Sequence, residues 1–285
     1  MEPILDHDAR LREIFAEYEI IDSHVHPPTT LPRSDYSLFS QKMTGEQFVG
    51  ELRRMGISRC CGSVIRPLAD SSGFEVIHEL NAAALDFQKA YPDFYIPGMA
   101  VHPAFPEESC AEIETMHRDH GVRFVGELVP YAMNWGGIDI PAMDPIWDLI
   151  QQKGMAVNVH LNQLQEAAAI LKRFPKLKFI IAHPTSNHQE YLARIDLIAQ
   201  YENAALDISG SGPNSWGMVR YALRRAGCGK ILFGSDFPIR NPGMYIAGVL
   251  FEHLTRLELE SVFSRNFRNL VLQNPIAGDK ETGKT

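Results

Sequence analysis

The chain has 285 residues, 45% of them hydrophobic and 22% charged, which is enough apolar side chain for a sizeable core and excludes a disordered polymer. Its 35 acidic against 27 basic residues give a net charge of -8, and no Lys/Arg cluster supplies the cationic stripe that a phosphate backbone attracts, so nucleic-acid binding is disfavoured. No stretch approaches the roughly 20 apolar residues of a membrane span, and residues 1–20 alternate charged with apolar side chains, unlike a signal peptide, so the expected setting is soluble and cytoplasmic.

Residues 1–18 read as an extra amphipathic helix. Short apolar, β-like runs then recur at 19–24, 59–65, 94–101, 122–129, 155–161, 177–183, 204–209 and 230–236. Between them lie segments of helical period, such as Phe48, Leu52 and Met55, or Ile146, Leu149 and Ile150. The segment 26–43, rich in Pro, Ser and Thr, is long for a βα connection and reads either as a substrate loop or as a plain surface insertion. Thr44 with Gln47 has the spacing of a capping box, and Asp144-Pro145 gives an N-cap with proline at the first helical position. Gly56, Gly121 and Gly154 stand just past helices, where a left-handed cap is expected. Cys60, Cys61, Cys110 and Cys228 form no C-x-x-C pair and suit reduced thiols without assigned chemistry. The polar tail at 276–285 is expected to be disordered.

Strand followed by helix, repeated along the chain, implies parallel strands joined by right-handed crossovers. The fold class predicted is α/β, a (β/α)8 TIM barrel forming one domain over 19–275, with an N-terminal and a C-terminal helix added. A doubly wound open sheet is the alternative.

In such a barrel the active site lies at the C-terminal ends of the strands, so the polar residues placed there carry the functional reading. The first strand runs into Ile-Ile-Asp-Ser-His-Val-His, and period-two alternation turns His24 and His26 to one face, within reach of one metal ion. The fourth strand ends near Glu127, the fifth at His160, the sixth at His183 and the eighth at Asp236. A single histidine at a strand end is most often a hydrogen-bonded structural residue. Nitrogen and oxygen donors gathered from five strands, with no thiolate among them, instead suit Zn²⁺ first and Mn²⁺ or Fe²⁺ as alternatives, as one or two ions. Arg123 shares the inward parity of Glu127 but lies at the start of its strand and reads as structural.

Four stretches carry a family resemblance. They are Ile21-Asp22-Ser23-His24-Val25-His26, Ile180-Ile181-Ala182-His183-Pro184, Ile231-Leu232-Phe233-Gly234-Ser235-Asp236-Phe237-Pro238, and the closing Asn266-Phe267-Arg268-Asn269-Leu270. With them the chain resembles the amidohydrolase superfamily over about residues 20–272, in its amidohydrolase-related branch of metal-dependent hydrolases and decarboxylases with a (β/α)8 barrel. The resemblance implies that His24, His26 and Asp236 hold a first metal, with His160 completing a one-metal site and His183 close to the reacting group. Two-metal relatives often carry a carboxylated lysine at the end of the fourth strand. This chain has Glu127 there, similar to the glutamate of the deoxyribonuclease branch, so Glu127 either bridges two ions, with His160 and His183 on the second, or stands outside a single-metal site. The turn Pro184-Thr185-Ser186-Asn187 replaces a glycine-rich turn of many relatives, so substrate contacts there do not transfer.

Bound metal lowers the pKa of water toward about 7 and polarises a substrate carbonyl, so hydrolysis further needs a general base and a leaving-group acid. The resemblance implies both roles for Asp236, with His183 polarising the carbonyl or acting as base. Arg66, His102, Asn162 and Arg240, at the same rim, are candidate substrate contacts, as is Asp207 in the seventh strand; each reads equally as a local structural partner. An arginine there can hold a substrate carboxylate by a bidentate pair. The leading reading is a hydrolase acting on an amide, lactone or other ester-like bond of a small molecule. The alternative is a decarboxylase or hydratase of an unsaturated or aromatic acid, and a barrel that binds without turnover is a third. Homo-oligomerisation is left open.

Overall fold

A computed structural model describes residues 16–31, 42–211 and 215–273. Strands and helices alternate: β1 (Ile20–Asp22), α1 (Gly45–Arg54), β2 (Ile57–Gly62), α2 (Phe74–Ala90), β3 (Tyr95–Met99), α3 (Pro106–His120), β4 (Phe124–Leu128), α4 (Asp144–Gln152), β5 (Ala156–His160), α5 (Leu164–Arg173), β6 (Lys178–Ala182), α6 (His188–Gln200), β7 (Ala204–Asp207), α7 (Met218–Ala226), β8 (Ile231–Leu232), α8 (Pro242–Leu250) and α9 (Arg256–Glu260). π-helical turns at Ser261–Arg265 and Arg268–Leu272 continue α9. All eight strands pair in parallel in the order of the sequence. The residues following β1 and β8 then bond to each other, Ser23 N–H to Phe233 O at 2.9 Å, Asp236 N–H to His24 O at 2.8 Å and His26 N–H to Phe237 O at 2.8 Å. Together with the parallel bridge of Val25 to Phe237, these bonds close the sheet into the (β/α)8 barrel that the alternation predicts.

Two apolar layers result. Ile21, Cys61, Ile96, Phe124, Ala156, Ile180, Ala205 and Leu232, one from each strand, fill the barrel interior, and Phe267 and Val271 of the closing helix plug it. Outward residues such as Val125, Val157, Phe179 and Ile181 pack under the helices, against Ile146, Trp147 and Ile150 of α4 among others. Thr44 and Gln47 form the expected capping box, and Gly56, Gly121 and Gly154 take the expected left-handed conformation at φ 82°, 66° and 64°. Asn187 caps α6, its side chain accepting from Gln189 N–H at 3.0 Å and Glu190 N–H at 3.2 Å.

The details that differ lie where the chemistry sits. β8 has two residues instead of the predicted seven-residue run, because Phe233 N–H leaves the sheet for Val262 O at 2.8 Å. In β4 the register shifts between Val125 and Leu128, with Gly126 at φ 101°. A bulge adds one residue to one strand and re-aims the next side chain. Phe124 therefore joins the inner layer and Arg123 is exposed, whereas unbroken alternation places Arg123 inward with Glu127. A Cβ on residue 126 would come within 2.2 Å of Asn158 O, so only glycine fits this bulge. The expected helix at 1–18 lies outside the described residues up to residue 15, and 16–18 form a turn; the tail at 276–285 and positions 32–41 of the long loop also lie outside them.

Candidate metal centre

His24 and His26 follow β1 where the chain bonds to the extension of β8, and Asp22 below them secures that seam. Its Oδ1 accepts from the backbone N–H of His24 at 3.2 Å and of Ser235 at 2.9 Å. Asp236 and His183 adopt φ of 66° and 65°, which takes both side chains off the strand alternation. Glu127 arrives by the β4 bulge, and His160 is the last residue of β5.

These residues surround Glu127. Its Oε2 lies 3.3 Å from Nε2 of His24 and 3.3 Å from Nε2 of His26. Oε1 lies 3.1 Å from Nδ1 of His160 and 3.0 Å from Nε2 of His183. Asp236 Oδ1 is 3.4 Å from Nε2 of His26 and 3.8 Å from Nε2 of His24. The carboxylate of Glu127 thus turns one oxygen to each of two histidine pairs. Two donor groups, His24 with Glu127 and His183, and His24 with His26 and Asp236, each have their donor atoms within 4.8 Å of one another.

The far sides of the rings settle which nitrogen carries hydrogen. Nδ1 of His26 faces Ser63 O at 3.1 Å, and a carbonyl only accepts, so this nitrogen donates and Nε2 is the atom left to take either a proton or a metal ion. Nδ1 of His24 faces Asp207 Oδ2 at 3.0 Å with the same consequence. Nε2 of His24 is fully buried and meets no hydrogen-bond partner in acceptable geometry. Lone pairs converging on carboxylate oxygens repel unless a proton or a metal cation stands between them, and an imidazole whose other nitrogen is held by a carboxylate is the usual arrangement of a metal-binding histidine. The residues present therefore fit a divalent ion bound through nitrogen and oxygen.

Electrostatics agree. Burial opposes the charged form of His24, but the carboxylates of Asp207 and Glu127 raise its pKa well above the ordinary value. Burial likewise opposes charge on His26, whose hydrogen bonds with Asp236 and Glu127 still lift it to about 9. Glu127 is held well below the ordinary carboxylate range, against its burial, by the charges of His24 and His183. Asp207, fully buried, is lowered to about 2 against its burial by the charge and hydrogen bond of His24. The pocket is built for positive charge held among fixed carboxylates.

Glu127, His160, His183 and Asp236 line a cavity of about 750 Å³. Its walls include the apolar Ile65, Pro67, Val129, Ala132, Leu161 and Ile239, and its polar lining includes Asn162, Tyr131 and Arg240. Of the five candidate substrate contacts, Asn162 and Arg240 line this cavity and Arg66, His102 and Asp207 do not. Arg66 pairs with Glu79 at 3.6 Å. His102 donates from Nε2 to Met133 O at 2.8 Å and accepts at Nδ1 from Ala104 N–H at 3.1 Å, and burial lowers its pKa, so both ring nitrogens serve the backbone. Sequence reasoning missed Ser63, Asn158, Ser209, Tyr131 and Arg194, the last of which lines the cavity and donates from Nη1 to His183 O at 2.6 Å. The pair Asp207 and Ser209, two apart at the end of β7, carried the same period-two signal as His24 and His26.

The chain matches the family model described as amidohydrolase over residues 21–270. No curated protein matches it in sequence. Among solved structures it is similar to 5-carboxyvanillate decarboxylase from Sphingomonas paucimobilis, at 15% identity and a TM-score of 0.72 over 89% of this chain and 99% of that one. It is also similar to 2,6-dihydroxybenzoate decarboxylase from Rhizobium, at 16% identity and a TM-score of 0.70 over 89% of this chain and 98% of that one. A dihydroxybenzoic acid decarboxylase from Polaromonas sp. JS666, solved with manganese and the inhibitor 2-nitroresorcinol, shares 18% identity at a TM-score of 0.68 over 89% and 96% of the two chains. At these identities the likeness is one of fold.

Proposed function

The chain belongs to the amidohydrolase family, and from that premise we propose that it is a metal-dependent decarboxylase of a small aromatic or unsaturated carboxylic acid. The observation that carries this reading is the cavity, whose lining brings apolar Ile65, Pro67, Val129, Leu161 and Ile239 together with Asp236, His183 and Arg240. Arg240 has no ion-pair partner among the described residues, which leaves its guanidinium for a substrate carboxylate. The likeness to three hydroxybenzoate-type decarboxylases over nearly their whole lengths supports the same choice.

His24, His26, Glu127, His160, His183 and Asp236 are the proposed metal donors, and Zn²⁺ or Mn²⁺ the proposed ion; the manganese of the Polaromonas enzyme supports the second. When bound, a divalent ion supplies the positive charge that orients an oxygen-bearing substrate and stabilises negative charge developing on it. Asp236, on both the donor cluster and the cavity lining, would take a proton from water and pass it to the carbon that gives up CO₂; the C–C bond breaks as the C–H bond forms, CO₂ leaves, and the Asp236 carboxylate is restored. His183, with Nε2 turned to the cluster, supports that exchange.

A second reading, hydrolysis of an amide, lactone or other ester-like bond, draws support from Glu127, whose two oxygens face separate histidine pairs in the manner of a carboxylate that bridges two ions. Protein loaded with zinc or manganese, incubated with 2,6-dihydroxybenzoate, 5-carboxyvanillate and related acids beside a panel of lactones and amides, separates the two. Metal-dependent CO₂ release is the expected result. Hydrolysis of a lactone or amide with no CO₂ from any acid would replace the first reading by the second.

A further inference from the structure

The end of β7 ties together two histidines that face opposite oxygens of Glu127. Asp207 Oδ2 accepts from Nδ1 of His24 at 3.0 Å and from Nδ2 of Asn158 at 2.7 Å. Its Oδ1 accepts from the Ser209 backbone N–H at 3.0 Å and from the Ser209 hydroxyl, with the His183 backbone N–H at 3.5 Å. The same hydroxyl oxygen lies 2.8 Å from Nδ1 of His183 and 3.1 Å from Nδ1 of His24. All of this is beneath the cavity: Asp207 and Ser209 are fully buried, and neither lines it.

A serine hydroxyl has one hydrogen. Once it is donated to Asp207, the Ser209 oxygen acts only as an acceptor, so Nδ1 of His183 must carry a hydrogen. Nδ1 of His24, between that oxygen and Asp207 Oδ2, must do the same. Both rings are therefore fixed with hydrogen on Nδ1, and both turn Nε2 toward Glu127, His24 to Oε2 at 3.3 Å and His183 to Oε1 at 3.0 Å. The fit is tight: a Cβ on Gly210, whose φ is 64°, would stand 2.4 Å from Nδ1 of His183, so the His183 ring lies directly against the chain that carries Ser209.

We propose that Asp207 and Ser209 form one positioning pair that sets the tautomer and ring orientation of His24 and His183 jointly, so that the two sides of the Glu127-centred site are linked through buried β7 residues and not only through Glu127. The inference rests on the metal-centre reading for its consequence, metal affinity, and on hydrogen-bond geometry alone for its cause. The two residues act differently. Removing the Ser209 hydroxyl takes the Nδ1 acceptor from His183 but leaves His24 its Asp207 oxygen, whereas replacing Asp207 disturbs both rings.

The test uses full-length protein labelled with ¹⁵N-histidine, as the parent and as Ser209→Ala, Ser209→Thr and Asp207→Asn, with NMR assignment of the protonated ring nitrogens and chelator-competition titration of zinc. In the parent, His24 and His183 are expected to show hydrogen on Nδ1. Ser209→Ala should abolish or average the Nδ1–H signal of His183 alone and weaken zinc binding by about tenfold, while Ser209→Thr restores both. Asp207→Asn should alter both rings and weaken zinc by about 10–100-fold, the effect usual for a lost outer partner of a metal-binding histidine. A Ser209→Ala protein that keeps the His183 Nδ1–H signal and binds zinc within twofold of the parent would overturn the pairing. If the parent takes up no zinc, the metal-centre reading fails by itself. The protected Nδ1–H resonances of the metal-free parent and Ser209→Ala protein then decide the pairing, which stands if the His183 resonance is lost in the variant and falls if it persists.

Discussion

Glu127→Gln keeps the shape of the side chain and removes its charge from the centre of the site. The carboxylate acts on four imidazole nitrogens at 3.0 to 3.3 Å, and it is buried. A unit charge pair about 4 Å apart at an effective dielectric constant near 20 is worth about 4 kcal/mol. At roughly 1.4 kcal/mol per factor of ten, removing one such interaction with a bound cation weakens binding about 10³-fold. If Glu127 bridges two ions, the amide, which keeps one oxygen and presents an NH₂ group on the other side, should also lower the stoichiometry to one. Zinc or manganese affinity, measured by chelator competition on parent and variant with matching circular dichroism, gives the comparison. Affinity within tenfold of the parent, at unchanged stoichiometry, would remove Glu127 from the metal centre and refute the reasoning built on its two oxygens.

Three further perturbations test separate parts of the account. Asp236→Asn should stay folded and lose 10²–10⁴-fold in turnover, about the value of one proton-transfer group; a variant within tenfold of the parent on any substrate found would take Asp236 out of the reaction. Phe267→Ala empties the plug of the barrel interior, where Phe267 packs against Phe124 at 6.5 Å between ring centroids; urea unfolding should show a loss of about 3–5 kcal/mol with metal stoichiometry unchanged. Arg268 donates from Nε to Glu19 Oε2 at 2.7 Å, and its hydrogen bond holds the Glu19 carboxyl below its ordinary pKa. A lowered folded-state pKa adds stability above the unfolded value and loses it as pH falls through the folded one. Arg268→Met should therefore cost at most about 1 kcal/mol at pH 7, since the pair is partly exposed, and the difference from the parent should vanish once acid protonates Glu19.

The repeat of apolar runs and helical segments points to the barrel ahead of a doubly wound open sheet, because eight strand-and-helix units each bring an inward apolar residue and an apolar stripe. The histidines at strand ends were legible for the same reason. The place of Glu127 near the end of its strand was legible, whereas the inward parity that alternation gives Arg123 does not hold. A bulge at a glycine is a local backbone event that leaves residue types unchanged, so alternation gives Arg123 and Glu127 the same parity when one is exposed and the other sits at the centre. His102 shows the converse limit. A histidine at a strand end reads the same whether its nitrogens serve a metal or, as here, Met133 O and the Ala104 N–H. Ser209 and Asn158 were missed because a buried hydroxyl or amide gains meaning only from its partners, which come from β1, β6 and β7 and are brought together by barrel closure.

Whether this cluster holds metal is tested most directly by elemental analysis of purified protein grown with added zinc or manganese. One to two divalent ions per chain are expected, falling to background in His24→Ala protein that remains folded. Less than about 0.2 ion per chain in the parent, with no uptake on titration at neutral pH, would contradict a metal centre there.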